Sequence, residues 1–230
     1  MKKGLTLFLI VPFLCSCSAK EISNEEAYRR LIGFEVKIEQ ETTFSFYERK
    51  AVSVSENKKT TSLTQVFFED NYMHSYAVTT DYENPKNSTA TENWVYVKDN
   101  LIYQVQTDQS EKSSNGKIHQ EMEFDKDIWD QFIKDSFNEV KETNKLYFTR
   151  LKNEYLNQTS STKIISRSNN ETSLHQTIER SNSSGVVIRT KIYEFKDSRI
   201  SSIIEKDDYS TSTFTFQYKI SNQEVRYPDL

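Results

Sequence analysis

The chain has 230 residues, 30 Lys and Arg against 34 Asp and Glu, and a formal charge of −4. This acidic balance argues against nucleic-acid binding, which wants a basic patch or stripe, and four Gly and three Pro exclude a collagen-like stalk or a flexible linker protein. Hydrophobic content is only 35%, but 14 Phe and 13 Tyr bring a large buried area per residue, enough to support a folded core.

The first residues carry a three-part plan: Lys2 and Lys3, an apolar run through Leu14, then small residues up to Cys17. That is the layout of an export signal. The run falls short of the roughly 20 apolar residues a helix needs to span a bilayer, and the chain turns polar at Ser18-Ala19-Lys20-Glu21. The block Leu14-Cys15-Ser16-Cys17 resembles the bacterial lipobox, in which a leucine-like residue stands three before a cysteine and a small residue just before it. The resemblance implies that the Cys17 thiol takes a diacylglyceryl group and that a peptidase cuts before it. Cys15 is the competing acceptor, but it would place Leu14 where a small residue is expected and Pro12 where the leucine is expected. The departure from the pattern is Cys15 itself, at a position that usually holds a small or hydroxyl residue.

The expected organisation is therefore a leader over 1–16, a lipidated tether over 17–22 and one α+β domain over 23–230. Removing Lys2 and Lys3 leaves 28 basic residues and a charge of about −6. Cys17 would be the one remaining cysteine, so no internal disulfide is expected although an exported compartment permits them. Acyl chains bury methylenes at about 0.8 kcal/mol each, enough for stable anchoring. The implied location is outside the cytoplasm on the bacterial cell membrane or outer membrane, with that membrane as one partner through the lipid on Cys17.

Ser23 followed by Glu26 makes a capping box, and Ala27, Leu31, Phe34 and Ile38 fall on one helical stripe. A helix is predicted near 24–39, with a strand open for its second half because Phe34, Val36 and Ile38 also alternate. From Thr42 the period becomes two: Phe44 and Phe46, Val52 and Val54, Val66 and Phe68, Trp94 and Tyr96, then Leu101, Tyr103 and Val105. Turn chemistry at 55–57, 83–87, 98–100 and 113–116 separates these runs, which predicts an antiparallel meander.

At Asp125 the period returns to helical. Trp129, Phe132, Ile133, Phe137 and Val140 form one face, and Phe148, Leu151 and Tyr155 extend it to about Gln158, with Asn144 a place where the helix could divide. Strand alternation resumes at Ile164, 174–178, 186–195 and 200–204, and is cleanest in Phe214, Phe216, Tyr218 and Ile220. Strands on both sides of a central helical stretch predict one α+β domain. Its sheet is large and antiparallel, interrupted by the central helical insertion.

This order of elements behind a lipid anchor resembles the LolA-like open-barrel lipoproteins, which include the LprG and LppX lipid-binding lipoproteins, over about residues 24–220. In that family a strongly curved sheet wraps helices and the space between them holds acyl chains, so the resemblance implies an open or half β-barrel with the N-terminal helix and the central helical insertion on its concave face, and a hydrophobic ligand. An anchored chain differs from LolA, a soluble carrier.

Little points to catalysis. His74, His119 and His175 sit in separate strand-like runs without neighbours at metal-ligand spacing. No G-x-S-x-G elbow or phosphate loop occurs, and the acidic pairs Glu25-Glu26 and Asp207-Asp208 read as solvated charges rather than a glycosidase couple. No catalytic residue, metal or cofactor is expected. Trp94, Tyr96, Tyr103, Phe214, Phe216 and Tyr218 are the candidates for lining an apolar pocket, since concave apolar sites bind small hydrophobes; the other reading makes them core. Two functions follow, a binder of lipid or another hydrophobe, and a surface or structural lipoprotein with a filled core that binds a protein or envelope polymer.

Overall fold

Ser23 starts helix α1 (Asn24–Gln40) by accepting a hydrogen bond from the Glu26 N–H at 3.2 Å, and Ala27, Leu31, Phe34 and Ile38 are all buried along one stripe. The helical reading of this segment therefore holds over its full length. The computed structural model describes residues 20–108, 116–157, 162–169, 173–219 and 225–228. The expected leader over 1–16, Cys17 and residues 18–19 of the expected tether lie outside the described residues, as does Ile220.

The strands are β1 (Lys20–Glu21), β2 (Phe46–Ser55), β3 (Lys58–Phe67), β4 (Tyr72–Asp81), β5 (Thr89–Lys98), β6 (Leu101–Asp108) and β7 (Gly116–Glu123). After helix α2 (Lys126–Leu156) come β8 (Thr162–Asn169), β9 (Ser173–Ser181), β10 (Val187–Lys196), β11 (Arg199–Lys206) and β12 (Ser210–Gln217). All belong to one antiparallel sheet in the order β1-β8-β9-β10-β11-β12-β2-β3-β4-β5-β6-β7. It is curved and does not close, with β1 and β7 at its two ends. Lys20 and Glu21, expected in the tether, pair with Asn169 and Ser168 of β8.

The tight hairpins have a local cause. Asp99 and Asn100 (φ 50° and 63°) join Lys98 to its partner Leu101, and Asp197 and Ser198 (φ 51° and 66°) join Lys196 to Arg199. Two consecutive left-handed residues are what a two-residue turn needs to match strand twist, and Asn and Asp tolerate that region. At the looser β9–β10 turn, Gly185 (φ 79°) supplies the left-handed residue, while the Asn182 side-chain oxygen accepts from the N–H groups of Ser184 and Val186.

Two local meanders, β8–β12 and β2–β7, thus become one sheet through the β12–β2 pair, whose register runs from Ser210↔Ser55 to Gln217↔Glu48. Helix α2 carries the chain from β7 at one end of the sheet to β8 near the other. Its 31 residues extend about 46 Å at 1.5 Å per residue, and its contacts run from Asn71, between β3 and β4, to Arg180 of β9. α2 is one continuous helix, capped by the Asp125 carboxylate, which accepts from the N–H groups of Asp127 and Ile128.

Asn144 does not divide it. The side chain is fully buried and its Nδ2 donates to the Val140 carbonyl (3.0 Å) and to the Tyr218 hydroxyl (3.0 Å), while its Oδ1 accepts from the Ile200 N–H at 2.9 Å. A polar residue at the centre of an apolar stripe thereby ties α2 to β11 and to the residue just beyond β12. The final alternation overshoots, since β12 ends at Gln217 and Tyr218 turns its hydroxyl to Asn144 rather than continuing the ladder.

The helices lie antiparallel on one face of the sheet. Tyr28 meets Tyr155 (5.0 Å between ring centroids), Phe34 meets Phe148 (6.2 Å), and Lys141 donates to the carbonyls of Glu39 and Glu41 at the end of α1. Beneath them Leu31, Ile38, Phe148, Leu151, Leu174, Ile178, Tyr193 and Phe195 form a closely packed core. Replacing Asn144 with Leu removes the acceptor of the buried Ile200 N–H and both partners of the Tyr218 hydroxyl. The expected loss is about 1–3 kcal/mol of stability, read as a lower urea midpoint with unchanged slope.

Candidate functional site

Register divides the six aromatic candidates between the two faces of the sheet. Along the β2–β6 ladder, Phe46, Phe67, Tyr72, Tyr96 and Tyr103 are successive partners, and Glu48, Gln65, His74, Trp94 and Val105 form the next row on that face. Phe214 and Phe216 pair with Ala51 and Arg49, which point to the other face, as does Tyr47. Successive strand residues alternate sides. Phe214, Phe216 and Tyr218 therefore pack under the helices, whereas Trp94, Tyr96 and Tyr103 lie behind the sheet, and no single pocket is lined by all six.

The rear group is a second core with its own cover. Phe46, Phe67, Tyr72, Tyr96 and Val105 are buried, with Trp94, Tyr103 and Val225 packed against them. Tyr96 stacks on Tyr103 (5.1 Å, 9°) and meets the ring of Tyr227 edge-on at 4.9 Å, and the Tyr72 hydroxyl donates to the Arg226 carbonyl. The C-terminal segment 225–228 is thus laid over these rings. Trp94 stacks on His74 at 5.3 Å, and the His74 Nε2 lies 2.7 Å from a Glu92 carboxylate oxygen, so this histidine is engaged structurally.

The helix face opens beside the N-terminal part of α2. α1 is 17 residues long and α2 is 31, so the N-terminal part of α2 covers the sheet without a helical neighbour. There, where β2 begins and β3 ends, a cleft of about 490 Å³ is walled by Phe44, Phe68, Ile133 and Phe137, with Thr42 and Thr43 above and Glu69, Asp130 and Lys134 at the rim. Phe44 and Phe137 are in ring contact at 4.9 Å and Phe68 meets Phe137 at 6.4 Å. The volume lies in the range of small-molecule sites, which combine apolar walls with a few polar groups.

On the other side of Phe44 the surface carries charges of both signs. The Arg199 guanidinium lies 5.2 Å from the Phe44 ring and 5.3 Å from that of Tyr218, and it is held by an ion pair with Glu41. A second hollow of about 510 Å³ there is lined by Arg30, Lys37, Glu41, Asp197 and Arg199 among others. Its charged walls make it a poor receptor for a hydrophobe, since apolar contact would cost the desolvation of those groups.

Phe44, Phe68, Ile133 and Phe137 appear in the sequence as members of strand and helix stripes, and only their juxtaposition makes a cleft. Phe44 and Phe68 fall just outside the paired strand ends, where the Phe68 N–H donates to the Ser45 carbonyl, and that position is the one local hint. Among the described residues no group of three or more His, Cys, Asp or Glu is placed to hold a metal ion, and no helix is long and apolar enough to cross a membrane.

No protein-family model and no curated protein matches the chain. Among solved structures, the crystal structure of LprF from Mycobacterium bovis matches with a TM-score of 0.36 and 11% identity, over 91% of this chain and 99% of that one. At this level of likeness neither ligand nor residue roles carry across.

Burial pushes the Tyr72 hydroxyl up to about 12, and it holds Tyr47, Tyr193 and Tyr218 higher still. A hydroxyl with a folded pKa above its unfolded value of 10.0 contributes stability that is complete below pH 10 and lost as pH rises through the folded value. Tyrosinate absorbance should accordingly show a late phase near pH 12 and beyond, running together with unfolding. A single phase at the ordinary tyrosine value would contradict the packing of both cores.

Proposed function

We propose that the chain is an exported, membrane-anchored lipoprotein without enzymatic activity, and that it binds a small hydrophobic ligand in the cleft between the N-terminal half of α2 and the sheet. The carrying observation is the Phe44–Phe68–Ile133–Phe137 cleft, apolar within and charged at its rim. Transfer of apolar surface from water drives entry at about 25 cal/mol per Å² buried, and Lys134, Asp130 and Glu69 stand where a polar end would remain.

The anchor belongs to the same reading. With Cys17 as the acylated residue, β1 begins three residues later, and three extended residues reach only about 10 Å. The edge of the sheet then sits close to the lipid headgroups, and the segment 23–230 acts as one domain held there.

A second reading, a surface or structural lipoprotein that binds a protein or envelope polymer, is favoured by the packing beneath the paired helices. Phe148, Leu151, Leu174 and Phe195 are fully buried there, which confines any ligand to the end cleft rather than a channel along the helices.

Two measurements test these readings. Mass spectrometry of the membrane-extracted protein should show acyl mass on an N-terminal Cys17, and Cys17→Ser should release the chain from membranes; a mature chain without that mass removes the anchor. Ile133→Trp fills the cleft from a half-exposed position and should weaken binding of a fluorescent fatty acid by tenfold or more, about 1.4 kcal/mol, with little change in melting temperature. Equal affinity in both proteins would favour the second reading.

A further inference from the structure

Strand β7 forms one end of the sheet and, among the described residues, is paired on one side only, to β6, in an unbroken register from Leu101↔Glu123 to Asp108↔Gly116. Every residue from Ile118 to Glu123 is exposed, including two large apolar side chains, Ile118 at 52% and Met122 at 50%. Edge strands of this length are usually blunted by charge, proline, a bulge or a covering segment, and of these β7 carries charge at Lys117, Glu121 and Glu123. β7 contains no proline and shows no register shift against β6.

The sequence of this edge is complementary to itself. In an antiparallel pairing of two copies centred on Gln120, Ile118 lies opposite Met122 and His119 opposite Glu121, each twice, with Gln120 facing Gln120. Ile118, Gln120 and Met122 project to the helix side, because Gln120 continues the row Tyr47, Val66, Met73, Val95, Gln104. His119 and Glu121 project to the rear face, where the His119 ring already stacks on Tyr103 at 5.9 Å. Such a pairing keeps like faces together, apolar with apolar and imidazole with carboxylate, and cross-strand pairs of both kinds stabilise a sheet.

The neighbouring registers that also keep the helix faces on one side lack this match. Moving the centre to His119 sets imidazole against imidazole, and moving it to Glu121 sets carboxylate against carboxylate, which is destabilising directly across a strand pair. We propose that β7 is a docking strand for a second copy of this chain, joining two sheets into one continuous sheet about a two-fold axis at Gln120. An interface of this isologous kind satisfies the outward backbone groups of both edges at once.

The full-length protein, purified from membranes in detergent, tests this through single cysteine substitutions, with the unsubstituted chain as reference for any disulfide through Cys15 or Cys17. Gln120→Cys places two thiols directly opposite at about 4.5–5.5 Å between Cα atoms, within disulfide reach. Ile118→Cys places its two copies four residues apart along the strands, about 13 Å, beyond that reach. Mild oxidation should therefore give about tenfold more linked dimer for Gln120→Cys than for Ile118→Cys, while Ile118→Cys with Met122→Cys should link as well as Gln120→Cys. Light scattering should give a dimer mass for the unsubstituted protein and a monomer for Ile118→Lys with Met122→Lys, with circular dichroism unchanged. Equal linking at positions 118 and 120, or a monomer mass for the unsubstituted protein, overturns the proposal.

Discussion

The architecture depends on one requirement of connectivity: after β7 the chain must return from one end of a twelve-stranded sheet to the other before β8 can form. A single helix of 31 residues does this. Once α2 lies across the sheet it needs an apolar underside along its whole course, which Trp129, Val140, Phe148 and Leu151 provide. It also needs to be fixed in position. Asn144 does that in the middle, and near the start the Trp129 indole N–H donates to the Asn71 side chain at 2.7 Å. α1 covers only the second half of α2, and the cleft is the part of the helical layer that α1 does not reach.

Much of this was legible locally. The capping serine, the Ala27–Leu31–Phe34–Ile38 stripe and the turns at Asp99-Asn100 and Asp197-Ser198 act over a few residues, and they behave as short-range chemistry requires. Alternation also identified the strands correctly as half-buried, but it tells which residues of one strand share a face and not which face two separate strands share. That is why Trp94 and Phe216 could be grouped as one pocket in the sequence and yet point to opposite sides of the sheet. Their relation is set by the β12–β2 register and by three further strand pairings, β2–β3, β3–β4 and β4–β5, which together span more than the neighbourhood of either residue. Asn144 is a similar case: its partner Ile200 N–H is 56 residues away, so the residue read as a break instead serves as a tie.

The two faces divide the protein's possible roles. On the helix side a closely packed centre gives way to an apolar cleft, and on the rear an aromatic row is covered by residues 225–228 with the Tyr72 hydroxyl as its fastening. The rear face is built largely from Phe and Tyr, and on the helix side such rings are mixed with Leu, Ile and Val. Such rings bring area without a long flexible stem, and the tyrosine hydroxyls allow polar ties inside an apolar layer, as Tyr218 and Tyr72 show.

The β12–β2 seam has a consequence for how the chain reaches this state. The Ser53 and Ser212 hydroxyls that meet across it at 2.9 Å are separated by 159 residues, so the seam cannot form until nearly the entire polypeptide is available. Pairings of such long sequence separation are slow to close, and domains emerge from synthesis with their N-terminal part first. The β2–β7 meander must therefore wait with β2 as a raw edge, the template most prone to pairing with a wrong chain. Glu48, Arg49 and Lys50 stand in sequence on that waiting strand, and charge on an unpaired edge is a means of keeping it from aggregating before β12 arrives.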